Sequence, residues 1–420
     1  MLAQDGIDYV PGTYGYRALD SQFVARAALR ARDQKLAYLA VHCHGGTGRV
    51  SFSKVDIASH ERGYPALLQV TKQVVGALVL SRDAIAGEIW LSSVKRVPLA
   101  STIVTGVNLS TFGSTPLARG SAPIRMFDRQ ARIFGDAGQS RLSQLRVAVV
   151  GLGGAGSIAS EMLARMGVGE IVLIDPDTLD ETNLSRVVGS RRSDLPLENS
   201  DELGKNTLKV EIAARSVVEA GLPSRLILIP HDVENERAGR ALTECDWIIL
   251  AADSQRARFI VNAVVHACLI PAIQLGVKVS VDQASGTVGD VFAFARRVNP
   301  DSGCLWCNGL IDPTLLQLEV LGEEGVAARG YLGPDAPAPS VISLNGVAAS
   351  FGVTDMLFST LGLLRDDRTP PGYTRIEMRT GRQYRDEPRR DAMCPYCGIH
   401  DESMFARGDR AGLPFSTTSG

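Results

Sequence analysis

No apolar run in this 420-residue chain is long enough to span a bilayer, which takes roughly 20 residues in a helix. The stretch Met1–Tyr16 lacks the charged-then-apolar layout of a signal peptide. An excess of positive charge is missing too. Lys and Arg number 44 against 46 Asp and Glu, a net charge of -2, so there is no electrostatic case for a nucleic-acid partner. Cysteine is sparse, at seven residues, and four of them form two CxxC pairs. That usage suits a metal in a reducing compartment better than a disulfide framework. No internal repeat is visible. The expectation is a cytoplasmic protein with neither membrane nor nucleic acid as partner. What is plentiful is apolar residues, 45% of the chain, enough for two or three domains with real cores.

Three zones emerge. Residues 1–112 read as a small α/β unit: a helix over Ser21–Arg32 behind an Asp20 cap, a strand over Lys35–His42, a Gly-rich loop, a helix around Ile57–Leu68, and strands Gly76–Leu80 and Gly87–Leu91. Residues 113–123, rich in Ser, Gly and Pro, read as a linker. From 124 to about 400, strands Arg146–Val150, Glu170–Ile174, Arg225–Pro230, Trp247–Ala251 and Pro271–Val277 alternate with helices, the pattern of a mostly parallel sheet. Strands Val291–Arg296 and Tyr373–Met378 flank a helix near Leu344–Leu364, and 401–420 is a polar tail.

The richest segment is RVAVVGLGGAGSIASEMLARMGVGEIVLIDPDTLDETNLSR, Arg146 to Arg186. A buried strand runs into Gly151, Gly153, Gly154 and Gly156 and then into a helix, so backbone N–H groups can approach a phosphate at the helix N-terminus. The next strand delivers Asp175, a carboxylate suited to ribose hydroxyls. Taken alone, this motif also fits an NAD-dependent oxidoreductase. Asp177, Asn183, Arg186, Lys209, Asp253 and Arg258 add carboxylate, ammonium and guanidinium groups beyond strand ends. A triphosphate with Mg²⁺ needs such a set, and a nicotinamide does not.

From Ile124 to about His400 the chain resembles the ThiF/MoeB superfamily of adenylyltransferases, which includes the ubiquitin-activating enzymes. RMFDRQARIFG, GLGGAG, IDPDTLDETNLSR, GKNTLKVEIA, ILAADSQRAR, CLWC and CPYC occur in the family's order. The resemblance implies ATP at the glycine turn, its ribose on Asp175, and its phosphates near Asn183, Arg186 and Lys209. It implies Mg²⁺ at Asp253, and Arg129 inserted from the second subunit of a homodimer. Lys205, nearer to Gly204, competes with Lys209 for the lysine's place. The implied substrate is the C-terminal glycine of a ubiquitin-like protein, passed on to a conjugating enzyme or a sulfur donor.

Cys304 and Cys307, with Cys394 and Cys397, have the two-residue spacing of zinc knuckles, and two knuckles complete a closed structural Zn²⁺ site. Between Cys307 and Cys394 there is no cysteine. Thioester-forming members of the family carry their acceptor there, so a cysteine thioester on this chain is not expected. Ser340 and Ser343 are the nearest hydroxyls. Cys245 and Cys268 read as core residues.

In the first unit, His42-Cys-His44 followed by Ser53 and Asp56 resembles the HxH and SxxD signature of JAMM/MPN metalloproteases. The resemblance implies a second Zn²⁺ on His42, His44 and Asp56. Met1–Cys43 contains no Glu to serve as the family's upstream general base, so the expected domain is inactive as an isopeptidase. The fold expected for the whole is α/β: a Rossmann-like, mostly parallel sheet of the ThiF/MoeB type with a zinc clip, preceded by a smaller JAMM-like α/β domain.

Overall fold

The computed structural model describes residues 1–10, 18–114, 125–196, 206–282, 285–322, 339–365, 372–398, 408 and 411–415. The chain divides into two compact units: Met1–Val104 with Ser110–Arg119, and Thr105–Leu109 with Gly120–Gly420. Most of the expected linker, Gly204 and Lys205, and most of the expected tail lie outside the described residues.

In the first unit, α1 (Ser21–Asp33) starts where Asp20 Oδ1 accepts the Gln22 N–H at 2.8 Å. Lys35, at φ 54°, takes the chain out of the helix, so β1 begins at Tyr38 (Tyr38–Cys43) rather than at Lys35. Helix α2 (Lys54–Thr71) is opened by a capping box between Ser53 and Asp56. Strands β2 (Val75–Leu80), β3 (Ile85–Trp90) and β4 (Arg96–Pro98) complete a sheet in the order β1-β2-β3-β4, with β1 parallel to β2 and the rest antiparallel. Strands β5 (Thr102–Val104) and β6 (Ser110–Phe112) pair with each other. Ala31, Tyr38, Tyr64, Val75, Ala77 and Trp90 form the core.

The second unit contains α3 (Asp128–Leu142), β7 (Arg146–Val150), α4 (Gly154–Arg165), β8 (Glu170–Ile174), α5 (Lys209–Glu219), β9 (Arg225–Ile229), α6 (Glu236–Leu242), β10 (Trp247–Leu250) and α7 (Gln255–Cys268). It continues through β11 (Ala272–Val281), β12 (Val288–Val298), α8 (Pro313–Val320), α9 (Ile342–Thr360), β13 (Tyr373–Glu377) and β14 (Arg382–Asp386). Its sheet runs β14-β13-β12-β11-β10-β7-β8-β9. The strands from β11 to β9 are mutually parallel, and β12 to β14 add on antiparallel. Short apolar strands buried on both faces demand cover on both. One face packs with α4 and α9 through Val147, Val149, Trp247, Ile249, Leu163 and Val353. The other packs with α6 and α7 through Val150, Ile248, Leu250, Leu242, Ile260 and Val264.

Thr105–Leu109 belongs to this second unit, although it falls within the stretch 1–112 that the sequence assigns to the first. Its carbonyls accept four hydrogen bonds, Gly106 O from Asn299 Nδ2 (3.0 Å), Val107 O from Arg297 Nη1 and Ser359 Oγ (both 2.9 Å), and Leu109 O from Arg141 Nη2 (2.7 Å), while Leu109 N–H donates to Ser359 O (3.0 Å) and Asn108 Nδ2 to Leu364 O (3.3 Å). Backbone acceptors leave no mark in a hydrophobic pattern, which is why periodicity places this segment elsewhere.

Candidate nucleotide site and metal clusters

Strands β7, β8 and β10 are register neighbours, so the bends after Val150, Ile174 and Leu250 meet at one sheet edge. Gly151 has φ 87°, and a Cβ there would sit 2.6 Å from the Ala252 nitrogen. A Cβ at Gly156 would sit 1.8 Å from Gly151 O, so helix α4 packs against the turn at a distance only glycine permits. Gly153, the residue before α4, has nothing within 4 Å of a Cβ position. The turn is closed toward the sheet and open at Gly153, which is the shape of a phosphate cradle at a helix N-terminus.

Asp175 is buried, and its carboxylate accepts the Leu152 N–H at 2.5 Å and the Asp177 N–H at 2.9 Å. Burial holds its pKa above the ordinary carboxylate value, against the pull of nearby Lys209. Lys209 is the first residue of α5, and its Nζ lies 2.6 Å from Asp177 Oδ2. Arg186, half-buried, passes its Cδ 3.5 Å from the Cβ position of Gly154 and donates to Thr182 O at 3.1 Å. Asp253 is exposed past the end of β10. Lys209, Asp177 and Asp175 are thus brought together, and Arg186 passes the glycine turn. Asn183 is buried, its Nδ2 turned toward Thr182 Oγ1 at 3.3 Å, and so faces its own loop. Arg258 lies further along α7 and donates to Leu310 O at 3.2 Å.

Asn345 is a site residue the sequence reading missed. It is buried in the first turn of α9, its Nδ2 is 2.0 Å from the Cβ position of Gly154, and it donates to Ser340 Oγ at 3.0 Å. A lone Asn 191 positions after Gly154 carries no spacing signal.

Arg129 stands apart from the site in its own chain. It is exposed on the first turn of α3. Its neighbour Gln130 donates to Met166 O at 2.8 Å, and Phe127 lies against Gly167. Both contacts are at the C-terminal end of α4, whereas the glycine turn is at its N-terminal end. A helix of that length places the two about 18 Å apart, at 1.5 Å per residue.

The four clip cysteines are buried, with their sulfurs all within 4.8 Å of one another. Cys304 and Cys394 sulfurs lie 3.7 Å apart, and those of Cys307 and Cys397 3.5 Å apart. Tetrahedral zinc, with Zn–S near 2.3 Å, sets sulfurs about 3.8 Å apart, so the thiols fit that ion. The Cys307 and Tyr396 N–H groups point at Cys304 and Cys394 sulfurs (3.4 and 3.5 Å), as thiolate ligands require. Burial pushes the Cys307 thiol up to about 11, while the hydrogen bond from Cys304 pulls the Cys397 thiol down to about 5. Cys245 is buried and its thiol is pushed up to about 12 by burial. It is a core residue.

In the first unit, His42 Nε2 lies 3.1 Å from His44 Nε2 and 3.5 Å from Asp56 Oδ1, and His44 Nε2 lies 3.2 Å from Asp56 Oδ2. Burial lowers the His42 pKa below its usual value, opposed by Asp56. Neutral imidazole is the ligating form, so the trio is able to hold a divalent ion. Among the described residues, no helix is long and apolar enough to cross a membrane.

The ThiF family profile matches residues 127–395. The SAMP-activating enzyme E1 of Haloferax volcanii is 28% identical over 236 residues, covering 55% of this chain and 68% of that protein. The sulfur carrier protein ThiS adenylyltransferase of Bacillus subtilis is 26% identical over 272 residues, covering 64% of this chain and 69% of its own. The crystal structure of E. coli MccB superposes with a TM-score of 0.50 at 20% identity, over 67% of this chain and 75% of that one, a likeness of fold.

Proposed function

Because the chain belongs to the ThiF family, we propose that it adenylates the C-terminal carboxylate of a small ubiquitin-like protein, using ATP and releasing pyrophosphate. The observation that carries this reading is the convergence of the open glycine turn, buried Asp175, Lys209 and Arg186 beside exposed Asp253 at one sheet edge. In the reaction a carboxylate oxygen bonds to the α-phosphorus as the bond to pyrophosphate breaks. No protein nucleophile is needed, only alignment and stabilisation of growing negative charge. Backbone N–H groups fix the Asp175 carboxylate, leaving lone pairs for ribose hydroxyls. Lys209 and Arg186 take phosphate oxygens. Asp253 would hold Mg²⁺, whose charge offsets that of the triphosphate. Arg129 reaches a neighbour's site, which makes the active species a homodimer.

Conjugation and sulfur-carrier activation are supported equally, since one relative is named for each type of partner. With no cysteine between Cys307 and Cys394, the adenylate passes directly to a partner's thiol or a sulfur donor. Ser340 accepts from Asn345, an amide that cannot act as a base, so an oxyester is the weaker route. The clip zinc is structural. The first unit is JAMM-like, binds a metal on His42, His44 and Asp56, and does not cleave isopeptides.

Labelled pyrophosphate should exchange into ATP only when the cognate small protein with a C-terminal glycine is present. ATP binding without exchange, across every such candidate encoded beside this protein, would overturn the reading.

A further inference from the structure

A second polar row crosses the sheet beside Asp253. Gln274 of β11, Arg296 of β12 and Tyr373 of β13 are successive register partners, so their side chains leave the same face. It is the face that meets α7 through Ala272 and Val298. Pairing of Leu250 with Gln274 sets the row level with the end of β10, and Arg258 enters from the first turns of α7.

Arg296 Nη1 donates to Gln274 Oε1 at 3.2 Å, and its guanidinium lies 3.7 Å from the Phe294 ring centre. The Arg258 Nε and the Tyr373 hydroxyl are buried without a hydrogen-bond partner among the described residues. No described carboxylate comes within 4.0 Å of either guanidinium. Burial pulls both arginines down, Arg296 to about 10, while Asp253 and Glu319 draw Arg258 back up and Tyr373 and Asp386 do the same for Arg296 against the charges of Arg258 and Arg375. Both arginines are half-buried, and the unused Arg258 N–H and Tyr373 O–H are donors that an anion would satisfy.

We propose that Arg258, Arg296, Gln274 and Tyr373 form a subsite for the carboxylate of the acyl substrate, on the β11–β12 side of Asp253. This rests on the adenylation reading above. Strand order gives the side: β7 and β8, with the glycine turn, Arg186 and Lys209, lie on one flank of β10, and β11 and β12 on the other. A nucleotide on the first flank leaves the second for the attacking group. That group is an anion approaching a polyanion, and two guanidiniums on this flank would offset the repulsion. The neutral Gln274 and Tyr373 hold its oxygens without adding charge.

The test uses the full chain and acetyl-Gly-Gly, as free acid and as C-terminal amide, read by ligand-observed NMR, with MgATP affinity from calorimetry. The free acid should bind and the amide should bind about tenfold more weakly, as expected for loss of a charge-assisted contact. Arg296→Gln should lose about tenfold for the acid while its MgATP Kd stays within about twofold. Tyr373→Phe, which removes only a hydroxyl, should weaken the acid by about threefold and guards against a folding artefact. No binding of the acid, equal binding of acid and amide, or unchanged acid affinity in both variants would overturn the subsite. Loss of MgATP affinity with acid binding intact would also overturn it, by assigning the anion to phosphate. Failure of the wild-type protein to bind MgATP would instead sink the adenylation reading, independently of the acid–amide comparison.

Discussion

Lys209 Nζ sits 2.6 Å from Asp177 Oδ2, and the Lys209 N–H donates to Asp177 O at 2.9 Å. The lysine is nearly buried while the carboxylate is 61% exposed. The pair therefore holds the ammonium near buried Asp175 through a partner that solvent reaches. Lys209→Ala should cut pyrophosphate exchange by about a hundredfold, the scale of a lost charge-stabilising donor. Asp177→Ala should leave the melting temperature nearly unchanged, because a half-solvated pair contributes about 1 kcal/mol or less, and should cost exchange far less. An equal loss in the two variants would make Asp177 itself a ligand of the nucleotide or its metal.

Zinc should be stoichiometric with the four clip cysteines. Structural zinc supplies on the order of 10 kcal/mol in small modules, and here it would join segments that are 87 residues apart between Cys307 and Cys394. Cys394→Ser should lower the melting temperature sharply. Thiols ligate as thiolates, so protons compete with the ion; zinc affinity should rise with pH and a chelator should strip it faster in mild acid. Elemental analysis of fresh protein that finds no zinc beyond the His42 site refutes the clip.

Arg129 and Asp253 should complement each other across a dimer. Its neighbours Gln130 and Phe127 touch the far end of α4 from the glycine turn, and the expectation is that Arg129 serves a neighbour. Mixed Arg129→Ala and Asp253→Ala proteins, each inactive alone, should regain part of the exchange activity. Demonstrated subunit exchange without rescue would argue against supply in trans.

The first unit should bind one divalent ion and cleave nothing. His42, His44 and Asp56 are gathered within ligand distance, whereas the buried carboxylate of Glu88 is spent on His60 (2.8 Å) and Trp90 (2.9 Å). His44→Ala should remove the ion without changing pyrophosphate exchange. Isopeptide cleavage that disappears in His44→Ala would show that another group supplies the base.

Local chemistry made much of this molecule legible in advance. The Asp20 cap, the glycine turn and the CxxC pairs act on neighbours a few residues away, so spacing alone points to them; the Ser53–Asp56 capping box appears only in the structure. The parallel strands were equally visible as short apolar runs, because burial on both faces leaves no polar alternation.

What only tertiary structure decided are relations between distant segments that leave no periodic mark. Asn345 against Gly154, Thr105–Leu109 held by its carbonyls, and the row of Gln274, Arg296 and Tyr373 each depend on which strands become neighbours. A sequence fixes which side chains can carry charge or coordinate a metal. Strand order and helix length fix how far apart they stand, and so determine that Arg129 lies at the wrong end of α4 to serve its own glycine turn.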